Sequence, residues 1–346
     1  MNLKIKKRED WIDVLRGFTM LLVVYWHVSF FTFSFKEDDG SFLNSFFLSF
    51  RMPMFFFISG FIAYKNIDFW TWKNFRGQLF KKSKIQLIPT IVFFIVLTAL
   101  LGNYYKWIFP GGYWFTLILF EIFLIYYIIS LISKYSFRIL RPILIIGVII
   151  ILFFINKVFK DNKELSLLLV DKLSVYFIYF AFGLFVRRYW DNIKILLTVK
   201  GPIFILFVFI ILYNVIKISN PAISHLIVSG IIKKLYEASL ILVIFNFFYH
   251  LKDYWANDFW ICKTMRFVGR RTLDIYMLHY FFLFPKLSFI SYLLKENSNM
   301  VLELLIIGAW TILVTSLSLL FSGIIRSSSL LGEYLFGVKN KSIKYN

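Results

Sequence analysis

Residues Trp11–Phe35 read WIDVLRGFTMLLVVYWHVSFFTFSF. Leu, Val, Phe, Met, Tyr and Trp run on for about the ~20 residues a helix needs to cross a bilayer. The stretch therefore reads as a membrane-spanning helix. Yet it holds Asp13, Arg16 and His27, and a charge inside such a helix is costly enough to point to function. At about 100° per residue, Arg16 and His27 lie about 20° apart around the axis, and Asp13 about 40° from His27. All three share one face, with His27 about 16 Å further along than Arg16. If Arg16 sits at one interface, His27 falls near mid-membrane. A base at that depth above a cation suits a group passed inward from a charged donor. Neutral imidazole can take a proton from a hydroxyl at neutral pH without a shifted pKa. The plainer readings are a histidine that hydrogen-bonds between helices and an ordinary Asp13–Arg16 pair at a helix end.

The rest of the chain has the same character. Its 346 residues are 60% hydrophobic and 21% aromatic, with 44 Phe, and the mean hydropathy is strongly positive. No soluble domain of this size needs so many apolar residues, so the fold class is all-α, a polytopic membrane protein. The formal charge of +20, from 39 Lys+Arg against 19 Asp+Glu, would suggest nucleic acid in a soluble protein. Here it reflects basic residues held in cytoplasmic loops, and no nucleic-acid partner is expected. The single cysteine, Cys262, excludes an intrachain disulfide and a cysteine metal cage. No histidine pair has the i,i+4 spacing beside glutamate of a zinc peptidase, so no metal site is expected. The first apolar run is long and interrupted by charge, unlike a cleavable signal peptide.

Apolar runs predict about ten transmembrane helices, near residues 14–34, 45–64, 86–102, 113–132, 142–156, 173–186, 201–216, 230–249, 272–292 and 300–322. With the N-terminus inside, alternate loops collect the basic residues, whereas the first opposite loop, KEDDG at Lys36–Gly40, is acidic. That bias puts both termini in the cytoplasm. The loops are short, so 1–346 is expected to be a single domain ending in a basic tail at about 326–346. The longest loop, about 64–86, carries Arg76 and Lys82 among six basic residues, together with Trp70, Trp72 and Phe75. It suits an interfacial segment that binds either membrane lipid headgroups or the phosphates of a nucleotide-like donor.

Other polar residues fall on the expected spans. Arg51 opens FRMPMFFFISGF, Phe50–Phe61, at the outer end of the second span, and Pro53 suits the first turn there. Arg51 reads as an interface anchor or as a contact for an acidic or hydroxylated acceptor. Trp114 and Glu121 are seven residues apart and share a face. An intramembrane glutamate can orient or charge-balance a histidine. In GRRTLDIYMLH, Gly269–His279, the residues Thr272, Tyr276 and His279 lie near one face, and His279 reaches about the depth of His27. The two histidines can share one cavity, or His279 can bond between helices.

Arg16, ten intervening residues and His27 resemble the R-x10-H motif of the acyltransferase-3 family of integral membrane acyltransferases. WIDVLRGFTMLLVVYWH is similar to that family's first helix and FRMPMFFFISGF to its second; YWFTLILF and LDIYMLH resemble its fourth and its late histidine helix. Many relatives that modify polysaccharides carry His where this chain has Arg51. The resemblance implies an O-acyltransferase of the bacterial inner membrane. It would move an acyl group, most often acetyl from acetyl-CoA, to a sugar hydroxyl of a cell-surface glycan or lipid-linked sugar. Acyl-CoA would be a co-substrate, with no cofactor bound permanently. His27 would be catalytic and Arg16 would hold the coenzyme A end. The site expected is then His27, Asp13 and Glu121 for chemistry, Arg16, Arg76 and Lys82 for the donor, and Arg51, Trp114, Tyr276 and His279 for the acceptor or its pocket. A transporter that exports a polysaccharide or lipid-linked sugar is the rival reading, since ten spans with buried polar residues serve it equally well.

Overall fold

The computed structural model describes residues 9–35, 42–101, 112–136, 140–158, 169–198, 201–218, 227–283, 287–297 and 299–337. About 90% of the described residues are helical, and no strand occurs among them. In chain order the helices are α1 (Asp10–His27), α2 (Phe42–Ala63), α3 (Trp72–Lys82), α4 (Ile88–Leu101), α5 (Trp114–Lys134) and α6 (Leu140–Val158). Then follow α7 (Val170–Arg188), α8 (Trp190–Thr198), α9 (Gly201–Ile218), α10 (Ile227–His250), α11 (Lys252–Trp255) and α12 (Trp260–Arg270). The last are α13 (Thr272–Leu278), α14 (Ser288–Asn297), α15 (Met300–Ser327) and α16 (Ser329–Phe336).

Six helical stretches among the described residues are long and apolar enough to cross a membrane: Asp10–Thr32, Leu43–Ala63, Trp72–Leu100, Trp114–Lys134, Leu140–Val158 and Met300–Ser327. They cover the first five and the tenth of the expected spans. The expected sixth, seventh and eighth spans lie in α7, α9 and α10. Within α9 the apolar stretch Ile203–Leu212 is shorter than a crossing, and α10 carries Lys233, Lys234 and Glu237. The ninth differs from its expectation of one helix over 272–292. α13 stops at Leu278, a 3-10 turn runs from His279 to Phe282, and helix resumes at Ser288. The break begins at His279, inside an apolar run that hydropathy alone reads as continuous. The acidic loop at 36–40 and the last part of the basic tail, 338–346, lie outside the described residues.

The expected loop at 64–86 is also different. Apart from the 3-10 turn Ile67–Phe69, it is helical from Trp72 onward. Thr71 caps α3 by accepting from the Asn74 amide at 3.3 Å, which satisfies one of the amides a helix start leaves open. Through a π turn at Ser83–Leu87 the helix continues into α4. The continuous stretch Trp72–Leu100 has 29 residues, about 44 Å at ~1.5 Å per residue and more than the ~30 Å hydrocarbon core. A helix of that length is long enough to cross the apolar layer with its basic first turns outside it.

The chain forms two compact units. The first is built from residues 1–58, 185–272 and 284–312, the second from 59–184, 273–283 and 313–346. In the first, Trp11 stacks on Trp190 and meets the edges of Phe245 and Tyr249. A second cluster joins Leu22 and Phe50 to Tyr236 and Leu240. In the second, Trp70 packs on Tyr126 and Tyr127. Arg141 donates to the Tyr126 hydroxyl and to the Lys65 carbonyl. Gly60 lies so close to Phe180 that a Cβ there would stand 2.0 Å from its carbonyl oxygen.

Candidate active site

α1 carries the R-x10-H motif, and its first turns are held by α12. The packing is close because both helices offer glycine. A Cβ on Gly269 would lie 1.7 Å from the Asp13 carbonyl oxygen, and one on Gly17 would lie 2.8 Å from that of Met265. Small residues allow backbones to approach, and in lipid that approach supplies much of the association energy. Charge then fixes the register. Arg270 at the end of α12 donates from Nε to Asp13 Oδ2 at 3.1 Å and from Nη2 to Asp10 Oδ1 at 3.0 Å. Both carboxylates stand in the first turn of α1, where the exposed amides favour negative charge. Half-buried Arg16 donates from Nη2 to Thr272 Oγ1 at 2.9 Å. Thus α12 and the residues after it hold Asp13 and Arg16 at set positions on α1.

His27 is the last residue of α1 and leads into a π turn, Val28–Thr32. Its Nδ1 lies 2.8 Å from the Val23 carbonyl. Because a carbonyl only accepts, the proton of that bond is on Nδ1, and in the neutral ring the lone pair is on Nε2. The ring is half-buried, with Trp26 edge-on at 4.9 Å and Phe31 stacked at 6.0 Å. The π turn is anchored on several sides. Asn44 Nδ2 donates to Ser29 Oγ at 2.5 Å, the Leu287 amide to the Thr32 carbonyl at 2.8 Å, and the Ser291 hydroxyl to the Phe33 carbonyl. An inserted π residue is a frequent feature of functional sites. Here it sets the ring positions that follow the histidine.

Arg51 is not the interface anchor of the plainer reading. It is 5% exposed, inside α2, and its guanidinium carbon lies 4.2 Å from the centre of the Trp26 ring. Trp26 therefore touches both His27 and Arg51, and the structure brings those two together across one indole. Pro53 is likewise inside α2 and not in its first turn. It removes one backbone bond two residues from Arg51.

The remaining site residues lie in the second unit. Glu121 is half-buried on α5, and no hydrogen bond or ion pair to it is found among the described residues. Trp114, at the start of α5, stacks on Tyr176 at 5.3 Å with the Lys172 ammonium 5.7 Å from its ring centre. Arg76 is exposed on α3, whereas half-buried Lys82 places its Nζ 3.6 Å over the Phe123 ring. The structure does not put Arg76 and Lys82 on one face. Tyr276 is bound by backbone on two sides: its hydroxyl donates to the Gly112 carbonyl at 2.8 Å and accepts from the Phe115 amide at 3.2 Å. Tyr280 donates to the same carbonyl, and Tyr113 donates to that of Met277. His279 is fully buried, with Nδ1 3.0 Å from the Ile275 carbonyl and its ring against Tyr280. Tyr276 and His279 thus belong to a tyrosine cluster that fixes the start of α5. Among the described residues no group of His, Cys, Asp and Glu is arranged to hold a metal.

Sequence reading missed Arg270 and Trp26. The available signal for Arg270 was its place between Gly269 and Thr272; for Trp26 it was adjacency to His27 alone.

We find no match to the chain among curated proteins or solved structures. A family model described as an acyltransferase domain matches residues 9–321, nearly the whole chain. That range runs from the residue before α1 to the body of α15 and includes the R-x10-H helix, the Arg51 segment and the His279 helix. The chain belongs to the acyltransferase-3 family and is a multi-pass membrane acyltransferase.

Proposed function

We propose that the protein is an O-acyltransferase of the bacterial inner membrane that moves an acetyl group from acetyl-CoA to a sugar hydroxyl of a glycan or lipid-linked sugar. The observation that carries this reading is His27 at the end of α1, with Nδ1 held by the Val23 carbonyl and Arg16 eleven residues earlier on the same helix. With Nδ1–H committed to a carbonyl, Nε2 is the basic atom. It accepts the acceptor's hydroxyl proton as the oxygen bonds to the acyl carbon. The carbon–sulfur bond then breaks, and the imidazolium returns the proton to the leaving thiolate, so ester and free coenzyme A are the products. The Nδ1–H bond to the carbonyl strengthens when the ring is charged, which favours the intermediate protonation state. Arg16 binds the donor, and Arg76 and Lys82 offer cations for its phosphates. Asp13 sets the position of the Arg16 end of α1 through Arg270. Glu121 is assigned to charge balance, and Trp114, Tyr276 and His279 to the acceptor pocket, on their placement in the expected spans. In this reading ten segments cross the membrane with both termini in the cytoplasm.

The test is acetyl transfer by the purified full chain in lipid nanodiscs, followed with labelled acetyl-CoA and a panel of sugar acceptors. His27→Ala should abolish transfer while inserting normally. Transfer retained by that variant removes histidine catalysis, and an acceptor transported without coenzyme A turnover favours an exporter.

A further inference from the structure

We infer that Tyr25 and Ser29 are positioning residues for the reaction at His27: their hydrogen bonds to two other helices fix the direction in which α1 presents the imidazole. The inference rests on the histidine-catalysis reading of His27 and adds what aims that ring.

The Nδ1 bond to the Val23 carbonyl holds the His27 ring relative to α1 alone, because both groups ride on the same helix. Arg270 ties α1 to α12 at Asp13, but that tie lies about 21 Å along the axis from His27. Two bonds hold the helix close to the histidine. The Tyr25 hydroxyl donates to Glu303 Oε1, in the first turn of α15, at 3.3 Å. The Ser29 hydroxyl accepts from Asn44 Nδ2 of α2 at 2.5 Å. All four side chains are buried, at 8% exposure or less, so neither bond is readily exchanged for one to water. Tyr25 and Ser29 stand two residues either side of His27. Both therefore lie about 160° from it around the axis and close to each other. They hold the back of the helix, one against α15 and the other against α2, while the imidazole projects from the front. A helix with its side chains is about 10–12 Å across, so a turn of about 10° moves a ring at its rim by about 1 Å. A misplacement of that size can cost up to about a hundredfold in rate. Proton transfer needs Nε2 within about 2.6–3.2 Å of the acceptor hydroxyl, a window that such a turn leaves.

The experiment measures coenzyme A release by the purified full chain in lipid nanodiscs. It is given acetyl-CoA and a mixture of methyl glucoside, methyl glucuronide and polyprenyl-diphosphate-linked glucose. Tyr25→Phe keeps the ring that meets Phe47 edge-on and removes only the hydroxyl. Its kcat should fall about tenfold, within the range of a small misplacement. The acetyl-CoA KM should stay within about twofold of the wild type. Ser29→Ala should lower kcat in the same way, and the double variant should fall further than either. Thr19→Val is the control. It removes a buried hydroxyl that bonds back to the Leu15 carbonyl on the same helix, about 12 Å from His27, and its kcat should match the wild type. A folded Tyr25→Phe protein with wild-type kcat overturns the inference. So does a loss that Thr19→Val shares, or one carried by the acetyl-CoA KM alone. In each of those cases an inactive His27→Ala variant leaves the histidine reading intact. Should Tyr25→Phe fail to fold, Ser29→Ala against Thr19→Val decides by the same criteria. A His27→Ala protein that releases coenzyme A at the wild-type rate overturns both readings, as does a wild type that releases none.

Discussion

Arg270 Nε stands 3.1 Å from Asp13 Oδ2, joining the end of one helix to the first turns of another more than 250 residues away in the chain. The same guanidinium reaches Asp10 at 3.0 Å. Asp13 is almost fully buried while Arg270 is close to half exposed, so the pair is intermediate between a surface bridge and a buried one. Removing the guanidinium should cost about 1–2 kcal/mol, above the surface range and below the buried range. Arg270→Gln should therefore lower the melting temperature in detergent by a few degrees. A double-mutant cycle with Asp13→Asn isolates the pairwise energy. A coupling of zero would show that the ion pair does not fix this junction.

Glycine at 269 and 17 carries the helix contact itself. Any side chain at 269 drives into the Asp13 carbonyl, and backbone cannot yield as a flexible side chain does. Gly269→Ala should destabilise by about 1–3 kcal/mol, the range for overpacking a tight site. Gly147→Ala is the control: nothing lies within 4 Å of the added Cβ, and in a helix alanine gains up to about 1 kcal/mol over glycine. Thermal melts of the two variants should shift in opposite directions.

The contrast marks what the sequence can convey. Hydropathy and the 3.6-residue period place α1, α2, α5, α6 and α15 because each is a local run of apolar residues. The same criterion failed at 64–86, where basic residues read as a loop although the chain is helical from Trp72 onward. It failed again at 272–292, where the helix ends at Leu278 and gives way to a 3-10 turn inside a continuous apolar run. That Asp13, Arg16 and His27 share one helix was legible, because the apolar run that forms it carries all three. Arg270 and the Trp26–Arg51 stack were not, since each depends on a partner from another segment. No period in a chain encodes a meeting between two helices.

Thr272 offers a narrower test of the donor side. Its hydroxyl accepts from Arg16 at 2.9 Å, and valine keeps the branched shape while removing that acceptor. Thr272→Val should raise the acetyl-CoA KM several-fold and change kcat less, because the bond holds a binding group away from the base. Thr272→Ser keeps the hydroxyl and should stay close to the wild type. An equal loss in both variants would assign the effect to packing.

In the second unit, Asp274 and Arg326 form a more deeply buried charge pair. Asp274 is 2% exposed and accepts from Arg326 Nε at 2.7 Å and Nη2 at 2.9 Å, with the Ser322 hydroxyl as a third donor. The bidentate pair ties α13 to the end of α15, shortly before the 3-10 turn that begins at His279. Removing one partner leaves the other charge buried. Asp274→Ala should cost about 3–5 kcal/mol and lower the melting temperature far more than Arg270→Gln. Replacing both, as Asp274→Leu with Arg326→Met, removes the desolvation cost together with the attraction and should recover much of the stability. The exposed pair Lys194–Asp191, at 2.6 Å, is the comparison: breaking it should leave the melt unmoved, because solvent screens both charges. A double variant no more stable than Asp274→Ala would mean that the pair is needed for its geometry, holding α13 in register with α15, and not only for charge balance.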